Sequence, residues 1–156
     1  MIAYLDSSVL ARLYLTDERG HQEAQDLLAD PEIAAVTVTW TRLEVSGALI
    51  RAIRQGRADG QGPADEKGPA DEKGLLQLLD SDLAGPITVL TAAQEHVESH
   101  ALTLVRGHGL PTMNARHLAV AAIAIPPLLN PGERKAFASR DVNQSRVAEQ
   151  LGFIAI

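Results

Sequence analysis

The 156-residue sequence contains no cysteine. This absence excludes disulfides, thiolate nucleophiles and Cys-ligated zinc, and it is typical of a protein that works in a reducing cytoplasm. Aromatic residues make up only 3% of the chain, so we expect no nucleic-acid surface built from stacked aromatic rings. The net charge of −6 argues against a broad basic surface. No apolar run approaches the length of a membrane span, and Asp6 interrupts the N-terminus before a signal peptide could form.

What the sequence does contain is an alternation of short apolar segments with longer segments of helical spacing. Met1–Asp6 is mostly apolar up to its acid, as a strand buried on both faces would be. Further strand-like segments occupy 34–39, 87–90, 135–139 and 153–156. The resulting order, βααβααβααβαβ, predicts an α/β fold. We expect a three-layer sandwich with a central, mainly parallel sheet of about five strands flanked by helices.

Residues 59–74 break this alternation. The hexamer Gly-Pro-Ala-Asp-Glu-Lys occurs twice in tandem, at Gly62–Lys67 and Gly68–Lys73. Proline and glycine at fixed places leave no apolar face to pack, so we expect an exposed loop here. The length of the chain otherwise suits one core, and we predict a single domain over residues 1–156 that carries this loop.

Three acids follow predicted strands or open the helix that comes next: Asp6, Glu44 and Asp141. The carboxyl ends of parallel strands lie at one edge of a sheet, so we expect these side chains to converge there. Converging carboxylates repel one another unless a cation neutralises them, and Mg²⁺ or Mn²⁺ is the hard cation that suits oxygen ligands. The alternative is that each acid only caps a helix, because the helix dipole favours acids at N-termini.

Four short motifs occur in an order that resembles the PIN-domain family. Residues 1–15, which read as a strand, an Asp, a Ser and an apolar helix, are similar to its first motif. Residues 41–49, with Glu44 on a helix, are similar to its second, Asn114–Ala121 to its third and Phe137–Asp141 to its fourth. The small size of the chain also resembles the bacterial toxin branch, the VapC-like ribonucleases of VapBC toxin–antitoxin pairs.

The resemblance implies a metal-dependent endoribonuclease that hydrolyses RNA and leaves a 5′-phosphate and a 3′-hydroxyl. It implies Asp6 as the central ligand of Mg²⁺ or Mn²⁺, with Glu44 and Asp141 completing the metal site. It also implies a cytoplasmic homodimer that a small cognate antitoxin silences. The sequence departs from the family at Asn114, where the family has an Asp. An amide oxygen can still ligate a cation, but it adds no charge.

Five further residues lie close to these positions in the sequence. Ser8 and Ser139 are candidates to hydrogen-bond the ligand carboxylates or their waters, and the alternative for both is helix or turn capping. Asn143, Arg116 and His117 are candidates to reach the site or touch substrate. The alternatives are a surface position for Asn143 and a satisfied, half-buried position for His117.

A local excess of positive charge between residues 40 and 57 suits an RNA substrate. Four arginines accompany the single acid Glu44, a charge of +3 (four minus one): Arg42, Arg51, Arg54 and Arg57. The alternative is that Arg51 and Arg54 merely favour a helix C-terminus.

Two rival functions stay open from the sequence. The first is a catalytically weakened or inactive PIN-like interaction module, which Asn114 favours. The second is an Asp-based phosphatase that uses Asp6 as its nucleophile. Ser8 argues against this second function, because phosphatases of the haloacid-dehalogenase pattern have another Asp at that place.

Overall fold

The computed structural model describes residues 1–55 and 72–156. The strands are β1 (Ile2–Leu5), β2 (Ala34–Val38), β3 (Thr88–Leu90), β4 (Lys135–Ala138) and β5 (Ile154–Ala155). The helices are α1 (Ser7–Leu10), α2 (His21–Ala29), α3 (Thr41–Arg54), α4 (Glu72–Ala84), α5 (Gln94–His108), α6 (Thr112–Ala124) and α7 (Val142–Gln150). Short 3₁₀ helices occupy Ala11–Leu13 and Pro126–Leu128.

All five strands are parallel, and they lie in the order β3-β2-β1-β4-β5. Strand β1 is central, with Ala3 beside Ala35 of β2 on one side and beside Ala136 of β4 on the other. The predicted α/β fold with a five-stranded sheet is therefore confirmed, and the sheet is entirely parallel.

Side chains of the central strands alternate between two apolar layers, each covered by helices. Tyr4 and Phe137 lie in the layer under α5, α6 and α7, whereas Leu5 and Ala138 lie in the layer under α1 to α4. The rings of Tyr4 and Phe137 stack with their centroids 5.2 Å apart. Burying an apolar side chain of this size contributes roughly 1.5–3 kcal/mol, so this pair fixes β1 against β4 at the centre of the molecule.

Helix α6 is the most buried helix of the layer that contains Tyr4. Five of its six buried residues are apolar, and the sixth is His117. An imidazole inside such a layer must find its hydrogen bonds within the protein, which makes His117 a residue with fixed partners. Among the described residues no helix, α6 included, is long and apolar enough to cross a membrane.

The last three residues of the exposed loop predicted for 59–74 are helical. Residues 56–71 lie outside the described part of the chain, but residues 72–74 form the first turn of α4. Leu75 and Leu79 of this helix are buried in the same apolar layer as Val45 and Leu49. Packing of these leucines extends the helix back into the second hexamer, where Glu72 suits the positive end of the helix dipole.

Candidate active site

The acids predicted from the sequence lie at the carboxyl edge of the central strands. Asp6 follows β1, and Asp141 lies just beyond the neighbouring strand β4, where it is the N-cap of α7. Glu44 is in the first turn of α3, which follows β2, and Asn114 is in the first turn of α6. Because β1, β2 and β4 are parallel neighbours, their carboxyl ends bring residues from distant parts of the sequence to one edge.

Asp6 is only 5% exposed and accepts hydrogen bonds through both carboxylate oxygens. Its Oδ2 accepts from the backbone N of Ser8 at 3.0 Å and from Ser8 Oγ at 2.6 Å. Its Oδ1 accepts a longer bond of 3.4 Å from Gln144 Nε2. Asp6 therefore caps α1 and faces the other site residues at the same time, so the two interpretations of this acid are compatible.

Asp141 is hydrogen-bonded mainly by amide groups. Its Oδ1 accepts from the backbone N of Gln144 at 2.8 Å, which caps α7. Its Oδ2 accepts from Asn114 Nδ2 at 3.0 Å. An Asp in place of Asn114 would set two carboxylates against each other here, whereas the amide attracts Asp141.

Gln144 is a site residue that the sequence analysis missed. It is fully buried and joins three predicted residues: Nε2 donates to Asp6 and, at 3.0 Å, to the backbone oxygen of Asn114, while Oε1 accepts from Ser139 Oγ at 2.6 Å. Ser139 Oγ also accepts from the backbone N of Asp141 at 3.0 Å. The usable signal is spacing, because Gln144 stands three residues after a helix-capping acid, as in a capping box.

His117 links Glu44 to the core of the sheet. Its Nε2 lies 2.6 Å from Glu44 Oε2 and 3.9 Å from Asp6 Oδ1, and its Nδ1 lies 2.8 Å from the hydroxyl of Tyr4. Burial, and then the charges of Asp6 and Glu44, raise the pKa of Tyr4 well above its usual value, so its hydroxyl keeps its proton. We assign this hydroxyl as the donor to Nδ1 and Nε2 as the donor to Glu44, although the distances alone allow either ring nitrogen either role.

Tyr4 is the second residue that the sequence analysis missed, because it lies inside an otherwise apolar strand. Its polar tip two residues before Asp6 is the signal that could have identified it. A buried phenol needs a hydrogen-bond partner, and the end of its own strand is where the polar groups converge.

Arg116 lies beside this network and is held by an aromatic ring. Its guanidinium carbon is 4.5 Å from the centre of the Trp40 ring, and Trp40 in turn meets the His117 ring edge-on at 5.8 Å. Arg116 Nε and Trp40 Nε1 are buried and have no hydrogen-bond partner among the described residues. Among the described residues, Arg116 thus has a cation–π contact with Trp40 and no salt bridge.

Asn143 does not join the network. Its Oδ1 accepts a hydrogen bond of 2.8 Å from Arg146 on the exposed side of α7. Asn143 therefore remains a candidate from the sequence alone, because the structure does not place its side chain among the acids.

The described arginines of the predicted cluster have different neighbours. Arg42 forms two hydrogen bonds, of 2.5 and 2.9 Å, with Asp80 of α4. Arg51 lines a cavity of about 360 Å³ together with Ser8 and Glu44. Arg57 lies outside the described residues. Arg51 is thus an arginine of this cluster that lies beside a candidate site acid.

The oxygen atoms at this edge suit a hard divalent cation in their chemistry. Asp6, Glu44 and Asp141 supply carboxylates, and Asn114 Oδ1 is a neutral oxygen donor. Within residues 1–55 and 72–156, however, no three His, Cys, Asp or Glu side chains are grouped closely enough to hold an ion as they stand. In this arrangement Glu44 is hydrogen-bonded to His117, and Asp141 is hydrogen-bonded to Asn114. The donor set fits Mg²⁺ or Mn²⁺, provided that a cation replaces some of these hydrogen bonds.

Comparisons with known proteins add no family to this geometry: no protein-family model matches the chain, and no curated protein matches it significantly. The resemblance to PIN domains therefore rests on the four sequence motifs, together with where the structure places their polar residues.

Substitution of Tyr4 by Phe tests the hydrogen-bond chain from the sheet core to Glu44. We expect Tyr4→Phe to leave Nδ1 of His117 buried without a donor and to lower the free energy of unfolding by about 1–3 kcal/mol. The ¹⁵N chemical shifts of the His117 ring should report an Nε2-protonated tautomer in the unmodified protein and a change in the variant. Tyr14→Phe is the control, because the Tyr14 hydroxyl donates to Asp82 and not to His117. Unchanged His117 shifts in Tyr4→Phe would contradict the assigned tautomer.

Proposed function

We propose that this chain is a metal-dependent endoribonuclease of the PIN-domain toxin type. The observation that carries the proposal is that hydrogen bonds through Gln144 connect Asp6, Asn114 and Asp141 at the carboxyl edge of the sheet. Glu44 is hydrogen-bonded to His117, whose Nε2 lies 3.9 Å from Asp6 Oδ1. Collecting partly buried carboxylates costs free energy unless something neutralises them, so an arrangement of this kind is a functional-site candidate. The same four positions belong to the motifs that resemble the family.

The acids would ligate the cation, and hydrogen bonds from neighbouring residues would orient the acids. Mg²⁺ or Mn²⁺, when bound, would polarise the scissile phosphate and lower the pKa of a water molecule for in-line attack. Ser8 fixes the orientation of Asp6 by two hydrogen bonds, and His117 fixes Glu44 by one. Ligands oriented in this way lose less freedom when they meet a cation or a substrate.

Two arginines supply positive charge for an RNA phosphate near these acids. Arg51 shares a cavity with Glu44, and Arg116 lies over Trp40 beside His117. Contacts between arginine and phosphate hold a nucleic-acid strand without reading its sequence. We therefore propose RNA as the substrate class and make no choice of sequence.

Loss of the central acid gives the direct test of this function. Asp6→Asn keeps the size of the side chain but removes the charge, so we expect Mn²⁺-dependent cleavage of a structured RNA to fall below detection. Asp26→Asn, which changes an exposed acid of α2, should cleave as the unmodified protein does. Cleavage that continues in chelator and survives Asp6→Asn would exclude the proposal. Hydrolysis of a phosphomonoester in place of RNA would favour the phosphatase alternative.

A specific contact favours the second candidate, a catalytically weakened PIN-like interaction module. Asn114 donates a hydrogen bond to Asp141, so an amide neutralises part of the acidic edge without a cation. With Asn114 hydrogen-bonded to Asp141, the site would be stable without a cation and would bind a metal ion weakly.

Restoring the acid at position 114 separates the two candidates. We expect Asn114→Asp to be less stable than the unmodified protein in chelator, by roughly 1–3 kcal/mol, because two carboxylates then face each other at hydrogen-bond distance. It should gain more stability from Mg²⁺ and cleave RNA faster. Thermal melts with and without metal, followed by a cleavage assay, measure all three effects.

Asn130→Asp is the matched control for this substitution. Asn130 donates a hydrogen bond to Glu133 at 3.1 Å on the exposed surface, so the same exchange places two acids together away from the site. The control should show no added response to metal. An equal response in both variants would mean that Asn114 is not a site residue.

We also propose that a small antitoxin-like protein partner silences the site, and that the chain is a homodimer. Two exposed apolar side chains stand next to the acids: Leu43, 77% exposed, precedes Glu44, and Val142, 85% exposed, follows Asp141. Large apolar side chains at such positions suit a protein contact. The protein encoded beside this chain should co-purify with it and suppress RNA cleavage. A neighbouring protein that binds without suppressing cleavage would contradict the antitoxin role.

A further inference from the structure

A second cleft, separate from the cavity that Arg51 lines, contains several arginines. It has a volume of about 730 Å³, and the structure builds it between the α1–α2 region and the segment that joins β4 to α7. The charged residues that line it are one glutamate, Glu23, and three arginines, Arg12, Arg19 and Arg140. Most other lining residues are small or apolar, so the arginines set the chemical character of the cleft.

Arg12, which lines this cleft, has one donor atom without an acceptor among the described residues. Its Nε atom is buried and has no hydrogen-bond partner among the described residues. Gly20, with a φ of +93°, brings the chain over the guanidinium so closely that a Cβ at this position would overlap it. Burial, and then the positive charge of Arg140, lower the pKa of Arg12. The fold thus fixes a guanidinium in place and leaves one of its donors unused.

The side-chain charges around Arg12 do not cancel. Arg140 forms a salt bridge of 2.9 Å with Glu18, and Glu23 lies in the cleft wall. Arg19 and Arg140 are the further cations around Arg12, and Glu18 and Glu23 are the anions, so arginine side chains outnumber glutamates by one. Like charges placed together in this way favour an anionic ligand.

The cleft is connected to the acidic site by a short chain of hydrogen bonds. The backbone N of Arg140 donates to Ser8 Oγ at 3.2 Å, and Ser8 Oγ donates to Asp6. Ser139, which also lines the cleft, accepts from the backbone N of Asp141. The cleft and the acids therefore share the segment Ser139–Arg140 and the contacts of Ser8, which makes them neighbours at this edge of the sheet.

We propose that the cleft formed around Arg12, Arg19 and Arg140 binds a backbone phosphate of RNA next to the one at the acidic site. The identity of the polymer rests on the proposed function, whereas the preference for a phosphate follows from the arginines. The planar guanidinium of Arg12 offers paired N–H groups that match phosphate oxygens. Binding of this kind positions the strand and carries no sequence preference.

RNA binding measured in chelator tests the cleft separately from catalysis. The probe is a fluorescently labelled single-stranded RNA, and anisotropy gives its affinity at several salt concentrations. We expect Arg12→Gln and Arg140→Gln each to weaken binding several-fold and to reduce the slope of log K against log salt by about 0.7, the value for one phosphate contact. Arg106→Gln, on α5 in the other helical layer, is the control and should change neither quantity.

Several outcomes decide between the alternatives. The proposed phosphate site would be rejected if the cleft variants bound RNA as tightly as the Arg106→Gln control. It would also be rejected if the unmodified protein bound no RNA. An acidic peptide that binds in the cleft as tightly as RNA would overturn the phosphate assignment. Arginine-dependent binding without any cleavage in Mn²⁺ would keep the cleft and reject the nuclease. If Arg12→Gln does not fold, Arg12→Lys and Arg19→Gln provide the same comparison.

A titration with inorganic phosphate gives a second readout. The Nε–H resonance of Arg12 should shift on addition of phosphate in the unmodified protein and in the Asp6→Asn variant alike. If the Arg12 resonance does not respond to phosphate, the proposal that the cleft binds phosphate is rejected.

Discussion

Asp6 is a nearly buried carboxylate at the end of the central strand, and the residues around it satisfy the requirements of that one charge. A buried carboxylate needs hydrogen-bond donors or a cation, because burial without them costs several kcal/mol. Ser8 and Gln144 supply donors directly, and each of them connects to another element of the edge. The network around Asp6 is therefore also what ties α7 and the β4–α7 segment to β1.

The same edge has a second constraint at Asn114. Its amide allows Asp141 to remain without a cation, while His117 does the same for Glu44. Hydrogen bonds and a divalent ion are two ways to neutralise the same oxygens, and the structure contains the first. An Asp at position 114 would replace the amide donor by a second carboxylate, which is why the two proposed functions make different predictions for this residue.

The alternation of apolar segments was sufficient to predict the fold, because buried parallel strands have a simple pattern. The boundary of α4 was wrong, since burial of Leu75 and Leu79 extends a helix into a repeat whose composition favours a loop. The positions of Asp6, Glu44 and Asp141 at the carboxyl edge could be predicted from strand ends, whereas their role as a metal site stays a prediction. Gln144 and Tyr4 could not be ranked without coordinates, because their importance comes from partners far away in the sequence: Asp6 and Asn114 for Gln144, and His117 for Tyr4.

The central claim is that these oxygens bind a divalent cation. A crystal of the protein soaked in Mn²⁺ and measured for anomalous scattering tests it directly, because the ion can be located independently of the ligand positions. The account predicts one strong anomalous peak in contact with oxygens of Asp6, Glu44 and Asp141, with the hydrogen bond from Asn114 to Asp141 lengthened or broken. A saturating soak that leaves every hydrogen bond of the network in place, with no peak at the acids, would contradict it.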